Sequence, residues 1–539
     1  MHKIIFSFFL TVLICIFTLQ MSYAQDNIFE ASKRGELDIV KGFVEQGADV
    51  NAFDENGWPA LLYAADKGKY DVVEYLVSKG ADACIKDREG WNGFMVAADG
   101  VGVEVSFSTG SADGIEKTTD ELIKERAKSE ENLLRLIDFF SEKGCSINDT
   151  NNNGITALHV AINKDKVSLA EKLIDTGADI NFTDSDGRQP LFYACYFGFE
   201  EMTKLLLNKG ADIDHRDNMG YNPILIAYES EKDNIVRILA EQGADVNLQN
   251  QQGISVFIKS LASNDTEMAD FLITKGADVN ALIGGQVRLI SVLASMSSPD
   301  MVKYLVSKGA DINLRSSDDS HAFIEAGKRG DPEILKYIHS LGVDINTVDG
   351  DNRTALIYAG YNGNIDAVKY LLDNGADVNI IDSGGGTALI HASSSQQTEV
   401  VKLLLDAGAK IDVKDEKETS ALVYASKNGS LDIIKMLVDK GADINDKDYN
   451  NTSALQFACI AGSKDLAEYL LAKGAGVDDT NVMGQTALMI ACYNKSMDII
   501  DMLVQNGADL NAKDNDGNNM LYYAGSEEVT EYLKSKGVE

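Results

Sequence analysis

Two short apolar stripes, each at helical spacing, alternate with polar, glycine-marked stretches from about residue 26 to the end of the chain. Residues 415–447 show one full turn of the pattern. Leu422, Ala425 and Ser426 follow Ser420, whose hydroxyl can accept a hydrogen bond from the free N–H groups of a first helical turn, so a helix is predicted to open there. Asn428, Gly429 and Ser430 break it. Ile433, Ile434, Leu437 and Val438 then give a second helix a continuous apolar face. Gly441 closes that helix, because a left-handed residue without a Cβ satisfies the last carbonyls cheaply. Ala442 to Asp448 lead through an extended tip into the next unit.

The phrase Gly441-Ala442-Asp443-Ile444-Asn445 recurs almost letter for letter. Its glycine falls at residues 144, 177, 210, 243, 276, 309, 342, 375, 408, 441, 474 and 507, a spacing of 33 throughout. Gly47 and Gly80 keep the same spacing upstream, whereas 64 residues separate Gly80 from Gly144 and 30 separate Gly507 from Gly537. The first irregularity is one period plus 31 inserted residues, and the second is a shortened closing repeat. A fixed period of this length means stacked units that bury their apolar faces against neighbours, and it excludes one globular core for 539 residues.

The helix starts Thr156-Ala157-Leu158-His159, Thr354-Ala355-Leu356-Ile357, Thr387-Ala388-Leu389-Ile390 and Thr486-Ala487-Leu488-Met489, with Leu371-Leu372-Asp373-Asn374-Gly375-Ala376-Asp377, resemble the ankyrin repeat. The resemblance implies an all-α repeat protein, an ankyrin-repeat solenoid of about 15 helix-turn-helix units with β-hairpin fingers. It also implies a surface that holds other proteins and no chemistry of its own. Residues 25–53 read as an N-terminal cap repeat, 54–513 as repeats 2 to 14 and 514–539 as a C-terminal cap repeat. Repeat 3 carries the insertion, about residues 101–131. There Val101 to Phe107 alternate like a strand, Ser108 to Gly114 are turn-rich, and Thr118 with Glu121 resembles a capping box that opens a long helix to Lys143. Its final turns, with Leu136, Ile137 and Phe140, replace the usual second helix. The insertion is either a functional projection or a tolerated loop. Repeats 7 to 9 are the least regular, at Ile283-Gly284-Gly285-Gln286 and Asp318-Asp319-Ser320-His321, and read either as a joint or as a surface altered for a ligand.

Lys3, the apolar run Ile4 to Leu19 and Ser22-Tyr23-Ala24 make residues 1–24 a signal peptide, so the product is expected to be exported, periplasmic or secreted. An uncleaved anchor is the competing reading, against which the run is shorter than the ~20 residues a spanning helix needs. No later stretch is long and apolar enough to span a membrane. The chain carries 84 acidic and 49 basic residues, net −35, and loss of Lys3 makes this −36. Such a field disfavours nucleic acid and anionic lipid; it either favours a basic protein partner or is simply what coats a large exposed solenoid, and the chain is expected to act as a monomer.

Cys195, Cys459 and Cys492 share one repeat position and read as buried small apolar residues. Cys84 and Cys145 fall on loops of neighbouring repeats, where pairing and free thiols both remain open. His159 belongs to the helix-start motif, and His215, His321, His339 and His391 share no spacing that a metal or a general base would require. Asp149 to Gly154 copies half a calcium loop but has Val160 where a bidentate glutamate is needed, so it reads as a turn. No phosphate cradle, nucleophile elbow, metal or cofactor site emerges once the repeat is subtracted.

Aromatic residues are the candidate partner-binding positions. Trp58 and Trp91, with Tyr221 and Tyr449, are assigned to one finger position. Tyr196 and Phe197 end a first helix, and Tyr361 and Tyr493 repeat the place of Tyr196. The resemblance puts these positions on the concave surface, where large rings either serve as anchors or, as is equally open for Trp58 and Trp91, pack on the next finger. The expected function is therefore a non-enzymatic exported protein-interaction scaffold. The alternative is an enzyme or stress-protective factor whose activity resides in residues 101–131.

Overall fold

The computed structural model describes residues 27–100, 119–296 and 299–539. The signal-like segment, and the strand, turn and helix cap expected between 101 and 118, lie outside the described residues. Within them, 30 helices form fifteen successive pairs. The chain divides into two compact bodies, Met1–Ala277 and Asp278–Glu539.

Most of the described first helices are opened by the side chain the sequence places before them, with Pro59 and Gln189 as exceptions. The hydroxyls of Thr354, Thr387 and Thr486 accept the N–H groups of Ile357, Ile390 and Met489 at 3.3 Å each. Each second helix closes on the periodic glycine. At Gly441 φ is +102°, a conformation other residues adopt only with strain, and the following amide of Ala442 donates to Leu437 O at 3.0 Å. The rest of the phrase ties neighbours together. Asp443 Oδ1 accepts the Asn445 amide at 2.9 Å, and Asn445 Oδ1 accepts the Gly476 amide of the next repeat at 2.8 Å.

First helices stack on first helices within each body. Pro190–Phe197 lies against Ala157–Asn163 and Pro223–Glu229, and Ala421–Lys427 against Ala388–Ser394 and Ala454–Ala461. Close approach is possible because small residues such as Ala194, Ala425 and Ala458 sit fully buried at the contact. Cys195, Cys459 and Cys492 are buried there too, and burial pushes the Cys459 and Cys492 thiols up to about 12, so they pack as apolar groups.

The fingers are less ladder-like than the name hairpin suggests. The only regular strands among the described residues are Leu282–Ile283 and Val287–Arg288, which pair antiparallel around Gly284 and Gly285 at φ +58° and +71°. Elsewhere single bridges such as Lys414 to Ser420 suffice, because an aspartate does the closing. Asp415 Oδ1 accepts the amides of Lys417 and Thr419 at 2.9 Å, and Tyr424 Oη donates to Asp415 Oδ2 at 2.6 Å. The same aspartate–tyrosine tie, nine residues apart, recurs at Asp54–Tyr63, Asp184–Tyr193, Asp349–Tyr358 and Asp514–Tyr523.

Repeat 3 departs from the plan. Its second helix, Thr119–Glu142, runs 24 residues, and its last turns bury Leu136, Ile137 and Phe140 in the place of an ordinary second helix. Cys84 and Cys145 are disulfide-bonded with Cα atoms 5.2 Å apart, so of the two states the sequence leaves open the structure has the bonded one.

Two buried histidines make stability depend on pH. His159 and His321 are both held down to about 4, chiefly by desolvation; at His321 the nearby Arg315 charge adds to it. Each ring also accepts a backbone N–H on Nδ1, from Thr156 and Phe323 respectively, which only the neutral ring can do. The unfolded chain takes up protons near pH 6.5 while the folded one does not until about pH 4. Stability is thus complete above about 6.5 and declines as pH falls toward 4. Denaturant unfolding between about pH 7 and 5.5, above the carboxylate range, is expected to show this decline, and His159→Gln to flatten it for the N-terminal body.

Candidate functional site

In repeat 5, Arg188 holds the finger position and Pro190 then starts a helix whose exposed end carries Tyr196 and Phe197, 47% and 42% exposed. The two rings meet edge to face at 5.1 Å, and Phe197 stacks on Phe199 at 5.4 Å, so their positions are fixed before anything binds. The finger of repeat 6 stands opposite. Asp217 Oδ1 accepts the amides of Met219 and Tyr221, both at 2.9 Å, which holds those two side chains at the tip. Between helix and finger lies a cavity of about 470 Å³, closed below by Phe192, Tyr193 and Ile226. That volume is in the range of built ligand sites and is large enough for a bulky side chain of a partner.

The charges at its edge are already matched. Arg188 Nη1 lies 3.0 Å from Asp186, and its Nε lies 3.7 Å from Asp217 while the guanidinium covers the Phe192 ring at 5.4 Å. Glu229 pairs with Lys259 at 2.9 Å. Tyr193 donates to Asp184, and burial together with that carboxylate pushes its hydroxyl up to about 12. An unpaired nucleophile or general base is absent from this wall, and what remains exposed is aromatic and thioether surface. Among the described residues, no group of three His, Cys, Asp or Glu side chains converges as metal ligands would.

A family model for ankyrin repeats, in three-copy form, matches residues 17–100, 126–217, 165–250, 224–316, 323–415, 412–481 and 473–539. The chain belongs to the ankyrin-repeat family. One solved structure it matches is the human ASB11 ankyrin repeat domain, at 28% identity over 40% of this chain and 96% of that one, with a TM-score of 0.37. No curated protein matches the chain. Ankyrin repeats are protein-interaction scaffolds, typically without catalysis. Among the described residues no helix is long and apolar enough to cross a membrane.

Within the ankyrin array the eight candidate aromatics fall in different places. Tyr196, Phe197 and Tyr221 converge on the one cavity. Trp58 and Trp91 are half-buried on the fingers of repeats 2 and 3, and the Trp58 ring lies 5.2 Å from Tyr63. Tyr361 and Tyr493 end first helices in the C-terminal body, 51% and 70% exposed. Tyr449 does not share the finger position of Trp58, Trp91 and Tyr221. That position is defined by an amide donating to Oδ1 of the aspartate four residues earlier, at 2.8, 2.8 and 2.9 Å, and in repeat 13 Thr452 makes this bond, to Asp448, at 2.8 Å. Tyr449 stands three residues earlier, at the tip, 63% exposed. Met219 is the cavity-lining residue that aromatic counting misses. Its signal is readable in register, because the equivalent tips of repeats 7, 9, 10, 12 and 13 carry Gln252, Asp318, Asp351, Lys417 and Asn450.

Proposed function

We propose that the protein is an exported, non-enzymatic scaffold that holds a protein partner on its fingers and first-helix ends, with the cavity between repeats 5 and 6 as the principal anchor site. The observation that carries this reading is the convergence of Tyr196, Phe197, Met219 and Tyr221 on one preformed cavity. Exposed rings fixed by their neighbours lose little freedom on binding, which is what makes aromatic residues efficient anchors. The excess of acid, net −35, favours a basic partner and opposes self-association, consistent with a monomer. Export is supported by the pattern of residues 1–24 and by the Cys84–Cys145 bond, since disulfides persist in oxidising compartments.

The test is to identify the partner by in-cell crosslinking of the full chain, and then to measure affinity with purified proteins. Tyr196→Ser together with Phe197→Ser is expected to weaken binding at least tenfold, about 1.4 kcal/mol or more, with the unfolding midpoint unchanged. Trp58→Ala serves as the comparison. Undiminished affinity in the double variant would remove the cavity from the interface.

A further inference from the structure

Fifteen large apolar side chains are exposed on the described residues, and six of them lie in the last three repeats. These are Tyr449, Ile460, Val482, Met483, Tyr493 and Tyr522, 51% to 70% exposed. They form two rows. On the finger tips, the Val482 amide donates to Asn450 O at 2.9 Å, which sets Val482 beside Tyr449, and Met483 O accepts the Asn515 amide of the next finger at 3.0 Å. On the helix ends, Asn494 Nδ2 donates to Ile460 O at 3.3 Å, which sets Tyr493 beside Ile460. The helix carrying Tyr522 packs on the helix that ends at Tyr493.

The repeat register says what these rows face. Met483 and Ile460 stand eight 33-residue periods after Met219 and Tyr196, the residues that bound the cavity of repeats 5 and 6. Tyr493 occupies the place of Glu229, Thr452 that of Arg188 and Asn481 that of Asp217. The same corner of the fold carries none of those three charges; Ile460 takes the place of Tyr196, Ala461 that of Phe197 and Gln485 that of Tyr221, which leaves an uncharged face whose large exposed side chains, Ile460, Met483 and Tyr493, are apolar. Three adjoining repeats at ~8–10 Å per helix layer make it ~25 Å long, the length of about 16 helical residues.

Its surroundings decide the occupant. Between residues 443 and 525 there are twelve acidic residues and five basic ones, and Lys447, Lys464 and Lys473 are already paired with Asp479, Asp498 and Asp439. A second copy of this chain or an anionic lipid surface would bring like charge to that rim. We propose that the face is a second docking surface, built for a basic amphipathic helix of a partner polypeptide. It shares with the proposal above only the family's protein-binding character and uses none of the cavity's residues.

The experiment uses the full chain and a dye-labelled 16-residue peptide of leucine and lysine in helical pattern carrying one photoreactive leucine, beside its leucine–glutamate counterpart. The lysine peptide is expected to bind, to crosslink within residues 449–522, and to weaken at least tenfold against Ile460→Ser with Met483→Ser and Tyr493→Ser. These side chains are exposed, so the unfolding midpoint should hold; if the triple variant melts early, Tyr493→Ser alone is expected to weaken binding at least threefold. Tyr196→Ser with Phe197→Ser should leave the crosslinks in place, so failure at one site is distinct from failure at the other. No binding, equal binding of the glutamate peptide, crosslinks elsewhere or indifference to the variants would each overturn the proposal. A dimer that forms in the wild type and is lost in the triple variant would assign the face to a second copy instead.

Discussion

Replacing Cys84 and Cys145 by serine is expected to destabilise the N-terminal body by about 4 kcal/mol, from the loop entropy that closing a 61-residue separation removes from the unfolded chain. The location makes the bond matter more than its count would suggest. Elsewhere the two helices of a repeat are joined by two or three residues, so the second folds against the first almost without entropic cost, whereas in repeat 3 residues 100–118 intervene. The bond fastens the turn after the second helix of repeat 2 to the turn after the helix Thr119–Glu142, closing that connection from outside. The ion pair across this junction is weaker. Lys86 meets Asp149 at 2.9 Å, but both are more than a third exposed, and such pairs contribute about 0–1 kcal/mol. Because each repeat contacts only its neighbours, the loss should stay local. Denaturant unfolding with and without reductant, read together with amide exchange, should show early opening of residues 119–142 and an unchanged C-terminal body, Asp278–Glu539. Identical midpoints under both conditions would mean that the reduced chain holds this junction by packing alone.

Most of the fold is legible in the sequence because its determinants are local. A helix cap, a left-handed glycine and a tip aspartate each act within a few residues of themselves, and they recur, so thirteen copies correct the reading of any one. What is not legible depends on approach between distant groups. Pairing of Cys84 with Cys145 turns on how the insertion lets two loops meet, and no spacing encodes that. The cavity needs the finger of repeat 6 to stand over the helix of repeat 5; the register names Tyr196 and Tyr221, but not that Met219 closes the gap between them. Tyr449 is misplaced by its resemblance in type to Trp58 and Trp91, where counting from Gly441 would have put Thr452 in register. The aspartate–tyrosine ties were available to register counting too, at nine residues, and they explain why the Tyr193 and Tyr424 hydroxyls are engaged within their own repeats while Tyr196 stands exposed.

Phe140→Ala is expected to cost about 3–5 kcal/mol, the range for deleting a fully buried ring whose site cannot collapse. The site is special because two deviations from the repeat compensate each other there. Every other full repeat places Leu or Ile where Phe140 stands, as at Leu76, Leu173 and Leu206, and none of them has glycine where Gly93 opens the first helix, as Ala60, Ala157 and Pro190 show. A Cβ on Gly93 would come within 2.5 Å of the Phe140 ring, and that ring also meets Phe94 at 5.8 Å. The missing methyl on one helix therefore makes room for the larger ring on the other. Gly93→Ala alone should destabilise by about 1–3 kcal/mol through overpacking, and Phe140→Leu alone by leaving a void. Together they rebuild the packing of the neighbouring repeats, so the double variant should be more stable than the sum of the two changes predicts, by 0.5 kcal/mol or more on the scale usual for contacting residues. Denaturation of all four proteins completes the cycle. Strict additivity would show that the helix Thr119–Glu142 is held by its exposed length or by the disulfide, and not by the phenylalanine that sits where a leucine normally locks the second helix onto the first.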